Sequence, residues 1–345
     1  MGCIRHYRGI SISYFAFMAM EVTTWNATWQ AFIEEEEAKI STGSANYLPT
    51  SFQLAALKTM FSDPTVPMSE IAKLITVDSI LLKEKSPGAS DSGLWRILAD
   101  GIKQLTEYND KFVELFFEIA QVPIYGSDLS PQFCLRYYWE WWTEWVWGFS
   151  DPPSTDPNRE AKRQGWTNLN AWCAKVSHHR DRFHLLDNRG RVSWIRFTLE
   201  RNPWETYDPA KYADEGEEAQ THNRELHDVK ALDAKVPAAA VWFQVDAQAI
   251  YDLNGHDMGF QLMPAETDWT GKEGFSRERF VAWRERFEWI SEIEVLEERT
   301  RKAAKEAAEA MKKVEDANSD ISNSPQEGLL PAVGYQRVLG VPSED

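Results

Sequence analysis

Leu232-Asp-Ala-Lys-Val-Pro-Ala-Ala-Ala-Val-Trp-Phe-Gln-Val-Asp-Ala-Gln-Ala-Ile-Tyr251 decides the fold. Read as a helix, this stretch is apolar on nearly every face, with Asp246 and Tyr251 as polar interruptions. A helix without a water-facing side must be covered from several directions by other elements. Strand-like alternation is scarce along the rest of the chain, and helical spacing of apolar residues recurs almost everywhere. The reading is an all-α protein: a multi-helix, mostly antiparallel bundle or layered helical array with a long C-terminal helix.

Outward from that segment, the apolar spacing predicts further helices. Towards the N-terminus, one runs from about Thr24 to Ile40. A second is capped near Thr50 and carries Leu54, Leu57 and Phe61, and a third starts near Ser69. Two amphipathic stretches follow, Leu94 to Leu105 and Phe112 to Ile119. Residues 133–147 form an aromatic stripe with Tyr138, Trp141, Trp142 and Trp145 at helical spacing. Rings at that spacing are read as core, and an aromatic pocket is the alternative. Helices at Trp166–Val176 and Arg191–Glu200 precede the opening segment. Ser276 caps a last helix whose inward positions are Phe280, Trp283, Phe287, Ile290 and Ile293; its continuation to Val314 is rich in alanine. That helix is bent or broken between its halves.

The expected organisation has five parts. Residues 1–20 form an N-terminal extension that precedes a start at Met18 or Met20, with a secretion signal as the alternative. Residues 21–149 are an N-terminal helical part, 150–165 an exposed Pro- and Ser-containing linker, and 166–317 a C-terminal helical part. Residues 318–345 read as a disordered tail from their Ser, Pro and Gly content.

The 345 residues include 16 Trp, 17 Phe and 11 Tyr, so large rings fill the interior. The net charge of −17 repels phosphate, which disfavours nucleic acid and anionic membrane surfaces as partners. No run is long and apolar enough to span a bilayer. Three cysteines, Cys3, Cys134 and Cys173, are too few for a disulfide framework and fit a reducing compartment, cytoplasmic or nuclear.

Three blocks in the second half carry a resemblance. They are Trp166-Thr-Asn-Leu-Asn-Ala-Trp172 with Ala174; Trp194-Ile-Arg-Phe-Thr-Leu-Glu200 with Val236-Pro-Ala-Ala-Ala-Val-Trp-Phe243; and Trp269-Thr-Gly-Lys-Glu-Gly-Phe-Ser-Arg-Glu-Arg-Phe280 with Trp283 and Arg286-Phe287. Together they resemble the fungal uncharacterised proteins grouped as domain of unknown function 3632. The resemblance implies a helical intracellular protein without an established activity, and it supplies no catalytic residue. Phe197 and Thr198 stand where the resemblance leads one to expect a Leu-Arg-like pair, so a basic residue there is not essential.

The residues themselves do not assemble a recognisable chemistry. His178 and His179 are adjacent and His184 shares no helix face with them, so no metal is expected. Asp252–Asp257 has aspartate at the glycine position of a calcium loop. Asn109-Asp110 lacks the later ligands of an isoprenoid cyclase, because Val113 and Phe117 stand in their places. No cofactor is expected. One polar set remains: Trp166, Asn168, Asn170, Arg196, Glu200, Trp242, Asp246 and Tyr251. If buried, these groups need partners, either as a hydrogen-bond network tying helices together or as the lining of a pocket. The leading functional expectation is a non-enzymatic protein-interaction protein. The alternatives are a small-molecule binder or enzyme with an aromatic interhelical pocket, and self-association through residues 276–317.

Overall fold

A computed structural model describes residues 28–43, 48–85, 92–122, 149, 151–179, 192–200, 209–216, 219–220, 228–256 and 269–322. They form helices without any strand: α1 Trp29–Thr42, α2 Ser51–Ser62, α3 Met68–Lys85, α4 Ser92–Gln104 and α5 Asn109–Ile119. Then come α6 Arg159–His178, α7 Val192–Leu199, α8 Leu232–Tyr251, α9 Arg277–Ser291 and α10 Glu298–Ser322. The aromatic stripe 133–147, the 1–20 extension and His184 lie outside the described residues.

Local chemistry sets several of the ends. Thr50 and Gln53 make a reciprocal capping box at α2, with hydrogen bonds of 3.2 and 3.0 Å. Ser276 Oγ accepts the Arg279 amide at 3.1 Å and starts α9. Between α8 and α9 the chain is pinned by paired backbone hydrogen bonds, Gly255 N to Phe275 O and Phe275 N to His256 O. Gly255 sits there at φ +85°, where a side chain is strained.

The packing follows from α8. It lies against α6 on one side and α10 on another, with α7 also in contact. Ala238, Ala239 and Ala240 on α8, and Ala304 and Ala307 on α10, are completely buried. Small residues at such a contact allow close helix approach. The ring of Phe243 is met edge-on by Phe280 at 6.1 Å, Trp283 at 6.1 Å and Phe287 at 5.5 Å, all from α9. At the other end, α1 packs on α2, α2 on α3, and α3 on α5. Phe61 is surrounded there by Trp29, Tyr108 and Phe112 at 4.8–5.9 Å. Helix α6 joins the halves by touching α4, α5 and α8, and one contiguous apolar core runs from Phe32 to Met311.

The expected break in the last helical stretch falls at 292–297, where the chain turns between α9 and α10 and Leu296 is buried. Three expected features differ. The opening segment is not straight: Asp246, at φ −158° and ψ 72°, breaks α8, and its carboxylate recaps the second part by accepting the Ala249 amide at 2.8 Å. Helix α6 begins at Arg159, inside the expected linker 150–165, where Asp151 and Pro152 are buried. Of the polar residues there, Asp151 and Arg163 are buried and paired with each other, while Ser154, Thr155 and Glu160 are exposed. Finally, α10 runs through Asn318, beyond the expected tail boundary; the Asn318 side chain bonds back to the Val314 carbonyl at 2.8 Å.

No helix among the described residues is long and apolar enough to cross a membrane. The apolar positions that suggested self-association through 276–317, among them Phe280, Trp283, Phe287, Ala304, Ala307 and Met311, are buried within the single chain.

Gly101 on α4 faces Phe112, and a Cβ built there would lie 2.5 Å from the ring. Gly101→Ala therefore sets a helix-propensity gain of about 1 kcal/mol against overpacking of about 1–3 kcal/mol. The expected result is a lower urea midpoint; an unchanged or raised midpoint would show that α4 and α5 are less tightly packed than described.

A buried polar framework and a tryptophan cleft

The eight polar candidates fall into three separate groups. The first is built on α6. Asn168 and Asn170 are buried and point to different neighbours, as two residues on a helix do. Asn168 Nδ2 donates to the Lys103 carbonyl at 2.7 Å and to Thr106 Oγ1 at 2.8 Å, while its Oδ1 accepts from Gln164 at 2.8 Å. Asn109 Nδ2 donates to the Asn168 carbonyl at 2.9 Å. Asn170 Oδ1 accepts the indole N–H of Trp242 on α8 at 3.0 Å, and its Nδ2 bonds to the Trp166 carbonyl at 2.9 Å. Trp166 is stacked on Phe149, with ring centres 4.9 Å apart. Each asparagine thus fastens α6 to a different layer.

The second group centres on Glu200, at the end of α7. Arg196 Nε donates to Glu200 Oε2 at 3.1 Å. Glu200 Oε1 accepts the Trp283 indole N–H at 2.9 Å and lies 2.8 Å from Arg279 Nε. All three charged side chains are buried. Burial pushes the Arg279 guanidinium down from its ordinary value and the like charge of Arg196 adds to this, while Glu200 opposes both. Thr198, where the resemblance led one to expect a basic residue, is fully buried in the same turn.

The third group lies at the far end of α8. Asp246 Oδ2 meets His178 Nδ1 at 2.7 Å, which joins the α8 kink to the end of α6. Tyr251 packs edge-on against Phe280 at 5.1 Å and under the Arg277 guanidinium at 5.4 Å. The structure therefore brings Asn168, Asn170, Trp166 and Trp242 together along α6, and Arg196 with Glu200 on α7, but it does not converge the eight on one hollow.

Sequence reasoning missed two features. One is the ion cluster in the supposed linker. Asp151 accepts two bonds from Arg163 at 2.7 Å and one from Arg159 at 2.6 Å, and Arg163 reaches Glu297 at 2.9 Å, before α10. Burial raises the Asp151 carboxyl, but the hydrogen bonds from Arg163 and Arg159 outweigh it and hold it below its ordinary 3.8. The one-turn spacing of Arg159 and Arg163 was the available signal. The other is an open cleft of about 320 Å³ on α9, lined by Leu199, Glu200, Trp269, Ala282, Trp283, Glu285, Arg286 and Trp289. Glu200 is the only sequence candidate that reaches it. The Arg286 guanidinium lies 4.1 Å from the Trp289 ring centre and that of Arg279 lies 5.0 Å from Trp269. Among the described residues no group of three or more His, Cys, Asp or Glu side chains is placed to hold a metal.

These features define an all-α protein with an internal polar framework and an aromatic, charged cleft at its surface. The family model described as Protein of unknown function (DUF3632) matches residues 95–287, more than half of the chain, and the chain belongs to that family. The match extends the resemblance upstream from Trp166 to Trp95 and covers α4 to α9 apart from the first three residues of α4 and the last four of α9. No curated protein and no solved structure matches the chain.

Glu200 neutralises two buried guanidiniums, so Glu200→Ala is expected to cost about 3–5 kcal/mol in urea denaturation, as breaking buried ion pairs does. Adding Arg196→Met and Arg279→Met should recover much of that loss; a triple variant less stable than Glu200→Ala would refute the charge argument. The depressed Asp151 carboxyl gives a pH dependence. Its stabilisation is present above its unfolded pKa of 3.8 and is lost as pH falls through the lower folded value. Between about pH 5 and pH 2.5 the urea midpoint of Asp151→Asn should therefore fall less than that of the parent protein.

Proposed function

We propose that this is a non-enzymatic helical protein-interaction protein that docks partners at the α9 cleft. The observation carrying this reading is Trp289. It is 41% exposed, packed against Arg286, and lines the cleft together with the buried, hydrogen-bonded pair Trp283 and Glu200. Partly exposed tryptophan and arginine on a rigid support are what dominate binding energy at protein interfaces. Val295, six residues on, is 52% exposed and adds apolar surface beyond the helix end. The polar groups deeper inside support the non-enzymatic part of the reading, since Asn168, Asn170 and Glu200 have hydrogen bonds committed to other helices and Arg196 is committed to Glu200. Three cysteines, too few for a disulfide framework, fit a reducing compartment, the cytosol or nucleus. The −17 net charge disfavours nucleic acid as the partner.

A second reading, a small-molecule binder, is favoured by the cleft's volume alone. At about 320 Å³ it falls at the small end of ligand pockets. Affinity purification with the full chain and with Trp289→Ala separates the two. The interaction reading expects a reproducible partner that the variant loses. No partner depending on Trp289, together with stabilisation by a member of a metabolite library in thermal-shift screening, would replace it with the second.

A further inference from the structure

The charge around the cleft specifies the partner's chemistry. Glu285 lines the mouth with its side chain 64% exposed, and Glu288, three residues on in the same helix, is 46% exposed. Glu292 and Glu294 are exposed immediately beyond Trp289. Arg284 is shared among Glu288 at 2.6 Å, Glu315 at 2.9 Å and, more loosely, Glu285 at 3.7 Å, so one guanidinium faces three carboxylates and the surface stays net acidic. Trp289 lies in the last turn of α9, where the partial negative charge of the helix end also favours a cation. The net charge of −17 acts in the same direction over longer range. The tryptophan faces themselves hold guanidiniums well: Arg286 lies against Trp289 and Arg279 against Trp269.

We propose that the cleft docks a basic peptide segment of a partner protein, with an arginine or lysine side chain against the exposed part of Trp289 and its charge beside Glu285. This rests on the interaction reading above and adds the chemistry of the occupant. The internal arginines Arg279 and Arg286 set the depth of the site and hold the tryptophan rings in place. The incoming side chain takes the outer, acid-flanked edge.

The test uses the full chain and a fluorescein-labelled ten-residue peptide of alternating arginine and glycine, followed by anisotropy at low and moderate salt. Binding should weaken with salt, as contacts between exposed charges do. Trp289→Ala changes no charge and should weaken binding about 3- to 30-fold, the range of a cation–aromatic contact. Glu285→Lys should weaken it at least as much. Glu70→Lys makes the same charge change on α3, away from the cleft, and should leave affinity within about twofold, since one remote exposed charge is screened. Thermal melts of each variant confirm that folding is retained, and Glu285→Lys keeps the test decisive if Trp289→Ala melts early. Unchanged affinity in both cleft variants, equal effects of the Glu285 and Glu70 reversals, or tighter binding of a glutamate–glycine peptide would each overturn the proposal. Should a cellular partner depend on Trp289 while the basic peptide does not bind, the interaction reading stands and only this chemistry falls.

Discussion

The rest of the molecule depends on covering α8. Apart from a strip with the exposed Gln244 and Gln248, α8 is apolar and has to be covered, so α6, α7 and α10 pack on it and α9 meets it at Phe243. Its alanines let neighbours approach closely, and Phe243 gives α9 three aromatic partners to lock against. Shortage of polar surface on this helix is therefore what forces α10, outside the family match, into the same core as the matched helices.

Such a core needs something besides apolar contact to fix its register, because alanine and leucine faces slide with small penalties. Directional bonds meet that need. Asn168 grips the α4–α5 junction, Asn170 takes the Trp242 indole, and Glu200 links two arginines and Trp283 across α7 and α9. The Asp151–Arg163–Glu297 cluster ties the approach to α6 to the start of α10. Leaving any of these groups buried but unpartnered costs more than the bond gains, so each tie is specific.

The same arrangement bears on function. With its buried polar groups occupied in holding helices, the protein has its chemistry-bearing surface where those helices reach solvent. On α9 the buried side of the helix supplies Trp283, the exposed side supplies Trp289, and Glu285 lines the opening. The proposed binding role rests on that arrangement.

The periodicity of apolar residues by itself determined the all-α class, most helix positions, the Thr50 and Ser276 caps and the burial of the α8 segment, because those depend on neighbours along one helix. It also marked Asn168, Asn170, Arg196 and Glu200 as groups that need partners. It did not supply the partners. Trp242 lies 72 residues from Asn170, and Trp283 lies 83 from Glu200. The polar stretch around Asp151 and Arg163 reads as solvated until its ions are seen paired in the interior. The break at Asp246 and the cleft that joins Leu199 to Trp289 were decided only by the tertiary structure, since each involves contacts between helices distant in the chain.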